Sequence, residues 1–172
     1  MHPPRIPCFS YQGLHRYFLT LCTAGRLRLF TADGVVSAVL EQFRQCASRQ
    51  QFAVVAYCFM PDHVHLLCAA LSEAADLRRF VTDAKQRSGY WFARSIGGRL
   101  WQRGFYDHVL RDEEQTLTVV RYILANPIRA GLSRALGEYA CCGSDVFPIE
   151  EIRECLQTWA LPAARTAPVR QP

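Results

Sequence analysis

The chain has 172 residues, half of them hydrophobic and a fifth charged, and a net charge of +5. This length supports one domain that buries about two thirds of its unfolded surface without disulfide staples, and this composition excludes a wholly disordered chain. No apolar run reaches the ~18 residues of a membrane span, and Met1-His2-Pro3-Pro4-Arg5 has no apolar segment behind it, so a cytoplasmic protein with no secretory signal is expected.

Residues 1–14, with three prolines and a glycine, read as an irregular lead-in. Residues 15–22 (HRYFLTLC) are β-branched and aromatic and predict a strand. The cluster Thr31-Ala32-Asp33-Gly34 opens a helix in which Val35, Val36, Val39, Leu40 and Phe43 recur at helical spacing up to about Ser48. Strands follow at 52–59 and 63–70, separated by Pro61-Asp62. Ser72 or Asp76 caps a long helix that carries Leu77, Phe80, Val81 and Ala84 on one face and ends at Gly97-Gly98. Residues 105–110 read as a fourth strand. Asp112-Glu113-Glu114 puts acidic charge at the start of another helix, expected to stop at Asn126 because Pro127 follows. The order β-α-β-β-α-β predicts an α+β, ferredoxin-like antiparallel sheet with both helices on one face, plus an added C-terminal helix. The other face is left for a site. Residues 136–159 form a C-terminal extension, and 160–172, rich in alanine and proline, are expected to be a disordered tail.

Charge and cysteine usage are less specific. Of 20 basic residues only Lys85 is lysine, and arginine suits planar, bidentate partners such as phosphate. A charge of +5 is compatible with nucleic-acid binding and equally with an ordinary arginine-rich soluble protein. The eight cysteines (Cys8, Cys22, Cys46, Cys58, Cys68, Cys141, Cys142 and Cys155) include no CxxC pair, so free thiols are expected rather than a zinc site.

Two segments carry chemistry. In Met60-Pro61-Asp62-His63-Val64-His65-Leu66-Leu67, the two histidines are at i and i+2 on a strand and share a face, with Val64 turned into the core. Such a pair suits a shared divalent cation, although a surface or cross-strand histidine pair has the same pattern. By strand alternation Asp62 points away from His63. In Arg121-Tyr122-Ile123-Leu124-Ala125-Asn126-Pro127-Ile128-Arg129-Ala130-Gly131-Leu132, Tyr122 and Asn126 are i and i+4 on one helix and share a face. Read alone, Tyr122 fits an amphipathic core tyrosine and Asn126 a helix-terminal residue. Gly131 can supply a left-handed turn.

Together, MPDHVHLL, WQRGFYDHVLRDEE and YILANPIRAGL resemble the REP-associated tyrosine transposases, a branch of the small single-tyrosine transposases whose histidine–hydrophobic–histidine ("HUH") motif HVH matches. The resemblance covers about residues 17–132 and implies a catalytic domain over 15–135. It implies that His63 and His65 bind the metal, Mg2+ or Mn2+, that Asn126 helps complete the metal site, and that Tyr122 is the nucleophile. The activity implied is metal-dependent nicking and rejoining of single-stranded or hairpin DNA, with repetitive palindromic elements as substrate, through a 5′-phosphotyrosine intermediate. The alternative is a hairpin-binding protein without cleavage. A monomer is implied; the helix-exchanging dimer of insertion-sequence transposases is the other arrangement. The chain departs from the family after the NP motif, where it has Glu138-Tyr139-Ala140-Cys141-Cys142-Gly143-Ser144 instead of an aromatic-serine segment.

Candidate phosphate contacts are Arg78, Arg79, Lys85 and Arg87 on the second long helix and Arg103, Arg111, Arg121 and Arg129 around the active segment. Trp91, Trp101, Phe105 and Tyr106 are candidates for stacking on unpaired bases, or core aromatics. Two other readings compete. An RNA-binding ferredoxin-like module needs paired aromatics where HVH stands, and a small metallohydrolase needs a carboxylate ligand such as Asp62.

Overall fold

The structure, a computed structural model, describes residues 10–111 and 113–158. The first nine residues of the lead-in, with Cys8, and Asp112 and the tail from residue 159 lie outside them. The elements in chain order are β1 (Arg16–Cys22), α1 (Val35–Arg49), β2 (Phe52–Met60), β3 (His63–Ala70), α2 (Leu77–Ser95), β4 (Tyr106–Leu110), α3 (Glu113–Arg129), β5 (Cys142–Gly143) and α4 (Ile149–Thr158). The sheet is antiparallel throughout, in the order β4-β1-β3-β2-β5. Its first four strands have the expected ferredoxin-like arrangement, and β5 extends the β2 edge.

Strand alternation divides the core into two. Tyr17, Leu19 and Leu21 of β1 and Val64, Leu66 and Cys68 of β3 face α1 and α2, where they meet Val39, Phe43, Phe80 and Val81. Phe52 and Phe80 stack at 5.0 Å. Asp76, one of the two expected caps, accepts the Arg79 backbone N–H at 3.1 Å. The intervening residues Phe18 and Leu67 face the other way and are covered by Val120, Ile123 and Leu124 of α3. Helices α1 and α2 thus lie on one face of the sheet and α3 on the other.

Strand β2 carries a bulge at Val54–Ala56. Phe52 and Val54 join the α1/α2 core, while Val55 and Ala56 both join the α3 core. The extra residue reverses the alternation. Cys58 and Met60 therefore reach the α3 face, opposite His65 and His63.

Helix α3 passes through Pro127 and ends at Arg129, which corrects the expected stop at Asn126. Proline has no N–H for the Ile123 carbonyl. The Asn126 side-chain amide substitutes, with Nδ2 3.4 Å from Ile123 O and 2.8 Å from Tyr122 O. The helix closes one turn later. Gly131 takes φ 69°, its N–H donates to Ile128 O at 3.0 Å, and Leu132 N–H donates to Pro127 O at 2.8 Å. These two bonds form a Schellman motif.

The C-terminal extension is tied down by β5 and by Arg44 of α1, whose Nε donates to Asp145 Oδ2 at 2.9 Å. Among the described residues no disulfide joins any cysteines, and no helix is long and apolar enough to cross a membrane.

Candidate active site

The register of the sheet assembles the site. On the α3 face one row runs across all five strands: Tyr106 on β4, Thr20 on β1, His65 on β3, Cys58 on β2 and Cys142 on β5. His63 lies two residues along β3, between Cys22 and Met60. Val64 is buried in the opposite core, so the two histidines share a face as their spacing requires.

The imidazoles meet through their Nε2 atoms, 3.1 Å apart. Each ring is held from behind through Nδ1. Asp62 Oδ1 lies 2.6 Å from His63 Nδ1, and Thr20 Oγ1 lies 2.9 Å from His65 Nδ1. With a carboxylate as acceptor, His63 carries its proton on Nδ1 and turns the Nε2 lone pair toward His65. His65 then donates Nε2–H to that lone pair and accepts the Thr20 hydroxyl at Nδ1. When the Thr20 hydroxyl turns to accept Nδ1–H instead, both Nε2 lone pairs face one point. Two ligands about 2.1 Å from one ion, at roughly a right angle, are about 3 Å apart. The 3.1 Å separation of the two Nε2 atoms matches that spacing. His65 is buried, and burial foremost, together with the charges of His63, Arg129 and Arg26, pushes its pKa down to about 3. It is thus neutral at physiological pH, the state that ligates a metal.

Asp62 does not point away from His63, contrary to the alternation argument. It sits in the turn between β2 and β3, outside either strand, where alternation does not apply. Its other oxygen forms an ion pair with Arg26, with Nε 3.0 Å from Oδ2. Because it contacts Nδ1, Asp62 lies behind the His63 ring and not beside the cation position, so the ligand role required by a metallohydrolase is not the one it fills.

Helix α3 brings the second segment to the histidines. The Tyr122 ring lies 5.7 Å from the rings of both His65 and Phe18. The Arg129 guanidinium stands 4.4 Å above the Tyr122 ring and donates to Asn126 Oδ1 at 2.8 Å. Asn126 is buried, and all its polar atoms are engaged: the amide nitrogen by the helix, the oxygen by Arg129. Among the described residues no set of three or more His, Cys, Asp or Glu side chains converges on a metal position. Asn126, the amide expected to complete a metal site, has its oxygen occupied by Arg129.

The basic residues are scattered. Arg78, Arg79, Lys85 and Arg87 lie on α2, across the sheet from the histidines. Arg78 covers the Tyr11 ring at 4.5 Å. Lys85 donates to the carbonyls of Gln102 (2.8 Å) and Gly104, and burial lowers its pKa to about 8. Arg103 and Arg111 are exposed on either side of β4, and Arg121 is half-buried on α3. Only Arg129 of the eight candidates touches the site. Trp101 is buried in the α1/α2 core, Trp91 and Phe105 pack against that core, and Tyr106 packs against the α3 core. His108 is exposed on the site's face, opposite Phe18. Thr20 and Arg26 were not singled out from sequence. Thr20 had one signal, as the lone aliphatic hydroxyl in β1; Arg26 had none.

Residues 11–126 match the family model described as "Transposase IS200 like". The chain belongs to the IS200-like transposase family. A Haemophilus influenzae protein assigned as a REP-associated tyrosine transposase is 27% identical over 139 residues, covering 72% of this chain and 74% of that one. The fold matches a solved REP-associated tyrosine transposase bound to a REP hairpin, with a TM-score of 0.69 and 18% identity over 87% of this chain and 90% of that one. It also matches the crystal structure of a protein assigned as a transposase from Deinococcus radiodurans (TM-score 0.50, 23% identity, 70% and 95% coverage). This IS200-like transposase is therefore a member of a class of enzymes that cut and join DNA, and α3 covers the sheet face that an RNA-binding ferredoxin-like module leaves open.

Proposed function

We propose that this transposase nicks and rejoins single-stranded or hairpin DNA through a 5′-phosphotyrosine link on Tyr122, with Mg2+ or Mn2+ held by His63 and His65. The observation that carries the reading is the meeting of two distant segments: the Tyr122 ring stands 5.7 Å from the His65 ring, on the face where the two Nε2 atoms converge. The hairpin bound by the structural relative supports the substrate class.

When bound, a divalent cation supplies charge neutralisation at a phosphate oxygen. His63 and His65 hold it, with Asp62 and Thr20 orienting their rings. Tyr122 Oη attacks phosphorus in line; the bond to the 3′ oxygen breaks, the phenol loses its proton and the 3′ oxygen gains one. At neutral pH only ~0.1% of an ordinary tyrosine is phenolate. Attack by the 3′-hydroxyl of another strand reverses the link and joins the strands without ATP. Asn126 Oδ1, which accepts from Arg129, keeps a second lone pair with which it would ligate the ion, and a scissile phosphate is a stronger partner for the guanidinium than a neutral amide. Tyr122 stands beside His65 of its own chain, the arrangement a monomer would use.

The test is a palindromic hairpin with a single-stranded flank, incubated with the protein and Mg2+ or Mn2+ and run on a denaturing gel. A nick with a covalent adduct, both lost with EDTA and in His63→Ala, is expected. Hairpin binding with neither nick nor adduct would favour the binding-only alternative.

A further inference from the structure

The two histidines are not held alike. His65 is backed by a neutral hydroxyl on the neighbouring strand. His63 is backed by a carboxylate that is itself clamped by a guanidinium, with Arg26 Nε 3.0 Å from Asp62 Oδ2. The clamp is built from the connection between β1 and α1. Thr23 is fully buried; its N–H donates to Asp62 O at 3.0 Å, and its hydroxyl hydrogen lies between the carbonyls of Leu27 (2.7 Å) and Asp62 (2.9 Å). Phe30 N–H donates to Pro61 O at 3.0 Å. Both carbonyls of the β2–β3 turn are thus fixed by this connection. Arg26 takes φ 58°, a left-handed conformation that a residue with a Cβ avoids, at a turn preceded by Gly25 at φ 63°. Its Nη1 also lies 2.9 Å from Cys22 Sγ, so the guanidinium is anchored on β1 as well as on Asp62.

An exposed ion pair of this kind adds little to stability, so a strained arginine is not explained by the ion pair alone. Strained backbone of this sort collects where a side chain must be placed for function. We infer that Asp62, clamped by Arg26, is the positioning residue of the metal site: it holds the His63 proton on Nδ1 and aims the Nε2 lone pair at the cation. The inference rests on the metal-site reading above. Each acts through His63. Carboxylate partners of this type fix the tautomer and strengthen the ligand nitrogen.

The test uses the full-length protein without DNA. Mn2+ affinity, read by electron paramagnetic resonance, should fall about 10–100-fold in Asp62→Ala. Asp62→Asn should lose less, since its amide oxygen still accepts Nδ1–H, and Arg26→Gln should lose least. Hairpin affinity in EDTA should be unchanged in all three. The 15N shifts of the imidazoles, measured without metal, should show His63 protonated on Nδ1 in the wild type and a mixture of tautomers in Asp62→Ala. Wild-type Mn2+ affinity in Asp62→Ala, or a wild-type His63 with its proton on Nε2, would overturn the inference. If the wild type itself bound no Mn2+, the metal-site reading would fail, and the inference, as a statement about a metal ligand, would fail with it.

Discussion

The two faces of one sheet are built from alternate residues of the same strands, yet they do opposite things. Toward α1 and α2, β1 and β3 present Tyr17, Leu19, Leu21, Val64, Leu66 and Cys68, and the space is closed by aromatic packing. Toward α3 the same strands present Phe18, Thr20, His63, His65 and Leu67, so a polar row interrupts the apolar one. The first face holds the fold; the second gives up part of its apolar burial to hold two imidazoles, a hydroxyl and an amide. A substitution on the first face should therefore be read in stability and one on the second in chemistry.

The largest expected effect is on the closed face. Phe80 is fully buried and packed between Phe43 and Phe52. Phe80→Ala should cost about 3–5 kcal/mol in urea unfolding, with adduct formation per folded molecule unchanged. His65→Ala should invert that pattern. Cleavage should fall more than about a hundredfold, since even the outer partners of such ligands are worth about 10–100-fold, while unfolding stability falls by less than in Phe80→Ala. A comparable loss of stability in His65→Ala with cleavage retained would erase the distinction between the faces.

Acid should sharpen the contrast. The His65 pKa is pushed from its ordinary value of about 6.5 to about 3 by burial, so between these values the unfolded chain binds the extra proton. Stability contributed by neutral His65 is fully present above about pH 6.5 and is lost as pH falls toward 3. From pH 7 to pH 5, in EDTA, this corresponds to about 1–2 kcal/mol. The pH dependence of urea midpoints should show it in the wild type, and His65→Gln should lack that part.

The smallest effect expected is at Asn126. Asn126→Ala removes the amide that stands in for the N–H missing at Pro127 and frees Arg129 from Oδ1. Cleavage should drop less than about tenfold, because water can replace an amide oxygen, and added Mn2+ should recover part of it. A defect indifferent to Mn2+ would assign Asn126 to helix α3 rather than to the site.

What the sequence disclosed follows the same division. The shared face of His63 and His65 and that of Tyr122 and Asn126 follow from the periods of a strand and a helix, which are local. The α1/α2 core was legible for the same reason. Asp62 was misplaced because a turn residue escapes alternation. Thr20 and Arg26 went unseen because only the pairing of β1 with β3 and the path of residues 23–30 bring them to the histidines. Helix α3 was cut short at Asn126 because a proline normally ends a helix, and the amide that compensates for it is a side-chain contact that no period encodes.

The central claim is that Tyr122, carried by α3 onto the polar face, is the nucleophile. The most direct measurement is mass spectrometry of the protein–DNA adduct after protease and nuclease digestion, alongside Tyr122→Phe, which removes only the hydroxyl. A phosphonucleotide is expected on the peptide containing Tyr122, and no adduct from Tyr122→Phe while hairpin binding and Mn2+ affinity persist. An undiminished adduct in that variant, with the label on Tyr106 or Tyr139, would contradict it.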